Sequence, residues 1–169
     1  MPNMKIRDAK QDELDFIREQ RVAAYLEHSK AIPAPHWQAL KQAISSEADR
    51  LHGSELIVCE LNEKIVGSVV LFPAKTDAYE GQLEKLDYPE IRMLAVNPEA
   101  RGKGVASALI NECINRSKAK KHQHIGLHTG EFMKHAIQLY TKHGFERLPQ
   151  YDFEPANDGI IVKAFRLTL

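Results

Sequence analysis

The chain has 169 residues, 43% of them hydrophobic and 27% charged, the balance of a globular protein of single-domain size, so one domain over residues 1–169 is expected. Lysine plus arginine equals aspartate plus glutamate at 23 each, and a net charge of zero argues against a nucleic-acid partner, which needs a basic excess to release counterions. The first residues lack the apolar core of a secretory leader and no apolar run approaches membrane-span length, so no membrane partner and a cytoplasmic location are expected.

Residues 4–7 read as a short strand. Asp12 can cap a helix over residues 12–28, where Leu14, Phe16, Ile17, Val22 and Leu26 fall near helical spacing. The Ile32-Pro-Ala-Pro break precedes a second helix over 36–51, closed by Gly53. Residues 55–61 and 65–72 form a hairpin around a turn at 62–64. Residues 73–86, polar and carrying Gly81, are a loop before a strand over 88–96. A helix over 102–118, a strand over 124–128, a helix over 132–143 stopped by Gly144, and strands over 145–148 and 159–167 complete the chain. The order β-αα-βββ-α-β-α-ββ predicts an α/β (α+β) fold, a mixed, mostly antiparallel sheet of about seven strands with four helices. The βαβ unit over 88–128 supplies a parallel pair with a right-handed crossover. Cys59 and Cys113 are expected as buried, reduced thiols.

Residues 90–110, Glu-Ile-Arg-Met-Leu-Ala-Val-Asn-Pro-Glu-Ala-Arg-Gly-Lys-Gly-Val-Ala-Ser-Ala-Leu-Ile, hold the chemistry. An apolar strand enters a Pro-marked turn, then a basic glycine loop, then an amphipathic helix. Glycines admit a ligand close to the backbone, helix-start amides point at it, and Arg101 and Lys103 add charge, so the stretch builds an anion site. A Walker loop needs a second glycine at fixed spacing before Gly-Lys-Ser/Thr, which Gly102-Lys103-Gly104-Val105 lacks. A dinucleotide fingerprint needs glycine where Ser107 stands.

The segment Arg101-Gly-Lys-Gly-Val-Ala106 instead resembles the Arg/Gln-x-x-Gly-x-Gly/Ala acyl-CoA loop of the GCN5-related N-acetyltransferases (GNAT). Leu94-Ala-Val-Asn-Pro98 resembles that family's strand end and turn, and Leu139-Tyr140-Thr-Lys-His-Gly144-Phe145 its second motif. The resemblance covers the element order of nearly the whole chain. It implies acetyl-CoA lying in a splay between two strands. Met93, Leu94, Ala95 and Val96 would pair with the pantetheine arm like an added strand. Arg101, Gly102, Lys103, Gly104, Val105, Ala106 and Ser107 would hold the pyrophosphate. It further implies that an amine attacks the thioester directly.

Tyr140 matches the family tyrosine beside the thioester sulfur, where an O–H donor helps the thiolate leave; the plainer reading is a core tyrosine on a helix stripe. Glu90 stands where a glutamate serves as base in the histone-acetylating branch, or is a surface strand-end carboxylate paired with Arg92. Met133 occupies the position where the family often places a pantetheine-binding asparagine; Thr129, Glu131 or a backbone group would replace it. The eight histidines lack ligand spacing with Cys or Asp, so no metal is expected. His128 can approach the acceptor as a proton acceptor or sit as a structural histidine. The acceptor side is expected from Tyr25, His28, Pro33, His36 and Trp37, with Tyr151, Asp152 and Phe153 of the late loop; alternatively Trp37 and Phe153 close the core. An aromatic lining beside an acid suits a cationic amine. The expected activity is acetyl transfer from acetyl-CoA to a primary amine, the acceptor being a small polyamine-like or amino-acid-like molecule or a protein amine. A non-catalytic acyl-CoA-binding domain on the same fold is the alternative, and a nucleotide-binding regulator a third reading. Homodimerisation is common in that family and would use the terminal strands.

Overall fold

The computed structural model describes residues 3–75 and 86–169. Strand β1 (Met4–Asp8) is followed by α1 (Leu14–Tyr25) and α2 (Ala34–Ser45), then by β2 (Glu55–Leu61), β3 (Lys64–Phe72) and β4 (Glu90–Val96). Helix α3 (Val105–Ala119), β5 (His124–Gly130), α4 (Lys134–Lys142), β6 (Glu146–Arg147) and β7 (Val162–Thr168) complete the order. The sheet runs β1-β2-β3-β4-β5-β7-β6, antiparallel throughout except for β4–β5. The expected mixed, mostly antiparallel α/β sheet is found.

Several boundaries move for local reasons. Asp12 does not cap the first helix. A 3₁₀ turn over Gln11–Glu13 precedes it, and Glu13 reaches back to accept from the Lys10 amide at 2.8 Å. The helix ends at Tyr25 and a 3₁₀ turn, Leu26–Lys30, carries the chain on. The second helix opens after Pro33, whose fixed φ suits a helix start, and stops at Ser45 rather than at residue 51. Ser46 turns extended and its hydroxyl caps a separate 3₁₀ turn, Glu47–Arg50, through the Ala48 amide at 3.2 Å. The third long strand starts at Glu90, since Pro89 cannot donate to a ladder. Of the expected loop over 73–86, residues 76–85 lie outside the described residues. The hairpin turn is a two-residue one, Asn62 at φ +50° and Glu63 at φ +71°, the primed geometry that matches strand twist.

Strand alternation divides the core. Ile57, Cys59, Val69 and Leu71 face α3 with Leu109, Ile110 and Cys113, whereas Val58, Val70 and Phe72 face α1 and α2 with Ile17 and Ile44. Cys59 and Cys113 are buried and unbridged, as expected, and burial pushes their thiols up to about 11 and about 12. Among the described residues no helix is long and apolar enough to cross a membrane.

In β4 the alternation breaks. Ile91 faces α3, Met93 faces α1 and α2, and Leu94 and Val96 face α3 again. Val70 pairs with Arg92 while Ser68 pairs with Ala95, so β4 carries one extra residue, and Met93 sits at φ +57°. A non-glycine residue in the left-handed region inside a strand marks a β-bulge that bends the strand. The parallel pairing with β5 is confined to Glu90↔Gly126 and Ile91↔Leu127. Beyond the bulge the two strands part.

Candidate active site

The divergence leaves Met93, Leu94, Ala95 and Val96 without a ladder partner in β5, while β3 pairs with Ala95 and Val96 on the other edge. An extended ligand arm can add there as a strand does. Ala95 and Met93 turn buried side chains away, so the backbone is what these residues offer.

The glycine loop stands at the head of this gap. Gly102 and Gly104 adopt φ +79° and +82°, and a β-carbon on either meets nothing within 4 Å. Their conformation requires glycine, and the space beside them is open. Helix α3 begins at Val105, and the Ala108 amide makes its first bond, to the Gly104 carbonyl at 3.0 Å. The amides of Val105, Ala106 and Ser107 therefore have no helical acceptor and point toward the loop. Lys103 is exposed beside them. Arg101 is differently placed. Its guanidinium donates to Glu27 at 2.8 Å and to the Ala24 carbonyl at 3.2 Å, fastening the loop to the end of α1. The Ser107 hydroxyl lies 3.1 Å from His143 Nε2, joining the first turn of α3 to the end of α4.

Two phenols approach one another from the two core layers. Tyr140 belongs to the α3-side core, and its ring stands edge-on to Phe145 at 5.9 Å. Tyr25 packs with the α1–α2 core, and the two hydroxyls are within electrostatic reach. Burial raises the pKa of both, so each is a neutral O–H donor. Neither hydroxyl makes a hydrogen bond with a described residue.

Glu90 and His128 form one unit at the point where β4 and β5 begin to part. Glu90 Oε2 and His128 Nδ1 are 2.8 Å apart, with side chains 6% and 2% exposed. His128 Nε2 lies 3.1 Å from the Tyr151 carbonyl, which only accepts, so that nitrogen carries a proton. The other carboxylate oxygen of Glu90, Oε1, makes no hydrogen bond among the described residues. The expected alternative, a surface glutamate, does not hold: Glu90 is buried.

The acceptor-side candidates separate. Tyr25 packs edge-on to His28 at 6.0 Å, and Phe153 packs edge-on to His128 at 5.6 Å. Trp37 is 8% exposed and belongs to the interior of α2. His28 and His36 each meet the Phe132 ring, at 5.5 and 5.9 Å, and His36 Nδ1 pairs with Asp158 at 2.7 Å. Asp152, the acid expected beside a cationic amine, is consumed by Arg147 at 2.6 Å and the Ala164 amide at 2.8 Å. Thr129 donates to the Met133 sulfur at 3.4 Å, and Glu131 accepts from the Ile161 amide at 3.1 Å. Glu27 on Arg101 and His36 on Asp158 are pairs far apart in the chain, with no local signal to reveal them. A β-carbon at Gly130 would lie 2.5 Å from the Phe132 ring, so glycine there makes room for it. Among the described residues no cluster of His, Cys, Asp and Glu is placed to hold a metal.

The comparisons agree with this geometry. The acetyltransferase (GNAT) family model matches residues 15–145. An uncharacterised N-acetyltransferase of Methanocaldococcus jannaschii is 37% identical over 89 residues, 53% of this chain and 38% of the relative, so the chain spans well under half of that protein. A Corynebacterium glutamicum structure described as histone acetyltransferase HPA2 and related acetyltransferase superposes with a TM-score of 0.71 at 22% identity, covering 98% of this chain and 96% of its own. YncA of Salmonella typhimurium, solved with its cofactor acetyl-CoA, superposes with a TM-score of 0.64 at 21% identity, over 98% and 94%. A family match over most of the chain, on the fold and loop described above, leaves one conclusion: the chain belongs to the GNAT acetyltransferase family.

Proposed function

We propose that the chain transfers acetyl from acetyl-CoA to a primary amine by direct attack in a ternary complex. The observation that carries this reading is the parting of β4 and β5 at the Met93 bulge, followed in the chain by the glycine loop, with the Glu90–His128 pair where the strands part. The acetyl-CoA bound to the Salmonella relative supports the choice of donor. The pantetheine arm pairs with the free edge of Met93, Leu94, Ala95 and Val96, and the pyrophosphate takes the amides of Val105, Ala106 and Ser107, with Lys103 as countercharge. Arg101 serves this loop chiefly by anchoring it through Glu27.

The arriving ammonium gives one proton to Glu90 Oε1, with His128 holding Oε2 and so aiming the carboxylate. The freed nitrogen bonds to the thioester carbonyl carbon, the carbon–sulfur bond breaks, and the departing thiolate takes a proton from the Tyr140 hydroxyl. The nitrogen loses its second proton to water as the amide forms, Tyr140 recovers a proton from water, and Glu90 returns its proton to solvent. The products are an amide, free CoA thiol and one released proton; the steps use no metal. Thiol release across a panel of amines, followed against pH, tests the scheme. Wild-type enzyme should lose activity on the acid side as Glu90 protonates, and Glu90→Gln should be slow with that acidic limb gone. A Glu90→Gln profile retaining the limb removes Glu90 as the base, and acetyl-CoA binding without thiol release from any amine removes the transferase reading.

A further inference from the structure

Helix α3 opens at Val105 with Gly104 as its N-cap, so Ser107 is the third residue of its first turn. A helical Cα–Cβ bond tilts toward the N-terminus. The Ser107 hydroxyl therefore leans to the loop side of that turn, with the amides of Val105, Ala106 and Ser107 itself. Among the described residues this hydroxyl makes one hydrogen bond, with His143 Nε2 at 3.1 Å. His143 closes α4 as its C-cap, and the backbone fixes its place. Its amide donates to the Leu139 and Tyr140 carbonyls, both at 3.1 Å, and Gly144 at φ +96° turns the chain away. The ring is half-buried, and its Nδ1 makes no hydrogen bond among the described residues. Burial, helped by the charge of Lys142, lowers the imidazole pKa, so at neutral pH the ring carries one proton.

A hydroxyl has one proton to give and lone pairs with which to accept. Two arrangements satisfy the pair. With Nε2 bare, Ser107 gives its proton to the imidazole and turns lone pairs toward the loop, where they repel an anion. With the proton on Nε2, Ser107 accepts from the ring and its own proton is free to point into the loop. An anion in the loop favours the second arrangement, and a hydroxyl that accepts one hydrogen bond donates the next more strongly. Resting on the acetyl-CoA reading above, we propose that His143 is a positioning residue for the donor, its Nε2–H holding the Ser107 oxygen so that the Ser107 hydroxyl donates to the pyrophosphate. Helix α4 then serves both ends of the donor, with Tyr140 at the thioester and His143, three residues on, at the phosphates.

The test reads affinity and tautomer together. Calorimetry gives the acetyl-CoA dissociation constant of wild type, Ser107→Ala, His143→Leu and the double variant. Each single variant should bind about three- to tenfold more weakly, the worth of one hydrogen bond. The double variant should bind no more weakly than Ser107→Ala, because the imidazole acts only through the hydroxyl. His143→Gln, whose side-chain amide offers an N–H at similar reach, should recover part of the loss. Melting curves establish that each variant is folded. Nitrogen NMR of isotope-labelled histidine in the wild-type acetyl-CoA complex, at mildly alkaline pH, should find the His143 proton on Nε2. A merely structural Ser107–His143 bond is satisfied by either tautomer, so this signal decides the matter even where the leucine variant fails to fold. A bare Nε2 in the complex, undiminished affinity in His143→Leu, or losses that multiply in the double variant overturn the inference while leaving the donor reading in place. Wild-type protein that does not bind acetyl-CoA overturns both.

Discussion

Replacing Gly104 with alanine separates what the loop needs in order to fold from what it needs in order to hold a ligand. Gly104 N-caps α3 at φ +82°, ψ 10°, and a β-carbon there meets no atom within 4 Å. The free protein therefore loses only the cost of a left-handed L-residue, about 1–2 kcal/mol. For a chain of this length each kcal/mol is about 2–4 °C of melting temperature, so Gly104→Ala should unfold about 2–8 °C lower. Acetyl-CoA meets a further cost, since the methyl stands where phosphate oxygens approach the helix-start amides. One charge-assisted hydrogen bond lost is about 1.5–3 kcal/mol, which is roughly a ten- to hundredfold weaker dissociation constant. Gly67→Ala is the contrasting case. Its β-carbon would lie 2.9 Å from Val105 Cγ1 and 3.0 Å from the Ala95 carbonyl, so about 1–3 kcal/mol of overpacking falls on the fold itself. Thermal melts and calorimetry of both variants make the comparison. Wild-type acetyl-CoA affinity in Gly104→Ala would refute the reasoning, because the open space would then have no ligand to receive.

Tyr140→Phe should lower kcat about tenfold to a hundredfold at saturating acetyl-CoA, with stability nearly unchanged because the hydroxyl makes no hydrogen bond with a described residue; steady-state kinetics beside a melt decide it, and undiminished turnover in the chemical step removes Tyr140 as the acid. Glu13, held by Arg7 mainly through their hydrogen bonds, titrates at about 2 rather than 4.5. A lowered carboxylate stabilises the fold above its unfolded pKa, so denaturation of wild type and Glu13→Gln should differ by about 1 kcal/mol at neutral pH after allowance for solvent screening. The gap should close between about 4.5 and about 2; a difference constant with pH contradicts the Arg7–Glu13 assignment.

Much of the fold was legible because its signals are local. Alternation in residues 55–61 and 65–72, and the Asn62-Glu63 turn between them, fix a hairpin without reference to anything distant. The loop was legible for the same reason, since Gly102 and Gly104 sit at positive φ that only their own residue type makes easy. Helix ends were less so. Asp12 is a good cap in isolation, yet Glu13 takes the role because Arg7 on β1 orients it. The site's decisive turn was not legible at all. Met93 is an ordinary strand residue by composition, and its left-handed backbone arises from the register that β3 imposes on β4. The Glu90–His128 pair likewise depends on which strands become neighbours: both residues are visible separately in the sequence, and β4–β5 adjacency brings them together.

The β4–β5 gap and its glycine loop are proposed as the seat of acetyl-CoA. Calorimetric titration of the intact chain with acetyl-CoA, and in parallel with ATP and NAD, tests this most directly. Acetyl-CoA should bind with one-to-one stoichiometry, with binding lost in Gly104→Glu, whose side chain brings both bulk and negative charge to the loop, and the two nucleotides should give no comparable heat. Saturable binding of ATP or NAD with none of acetyl-CoA would contradict it.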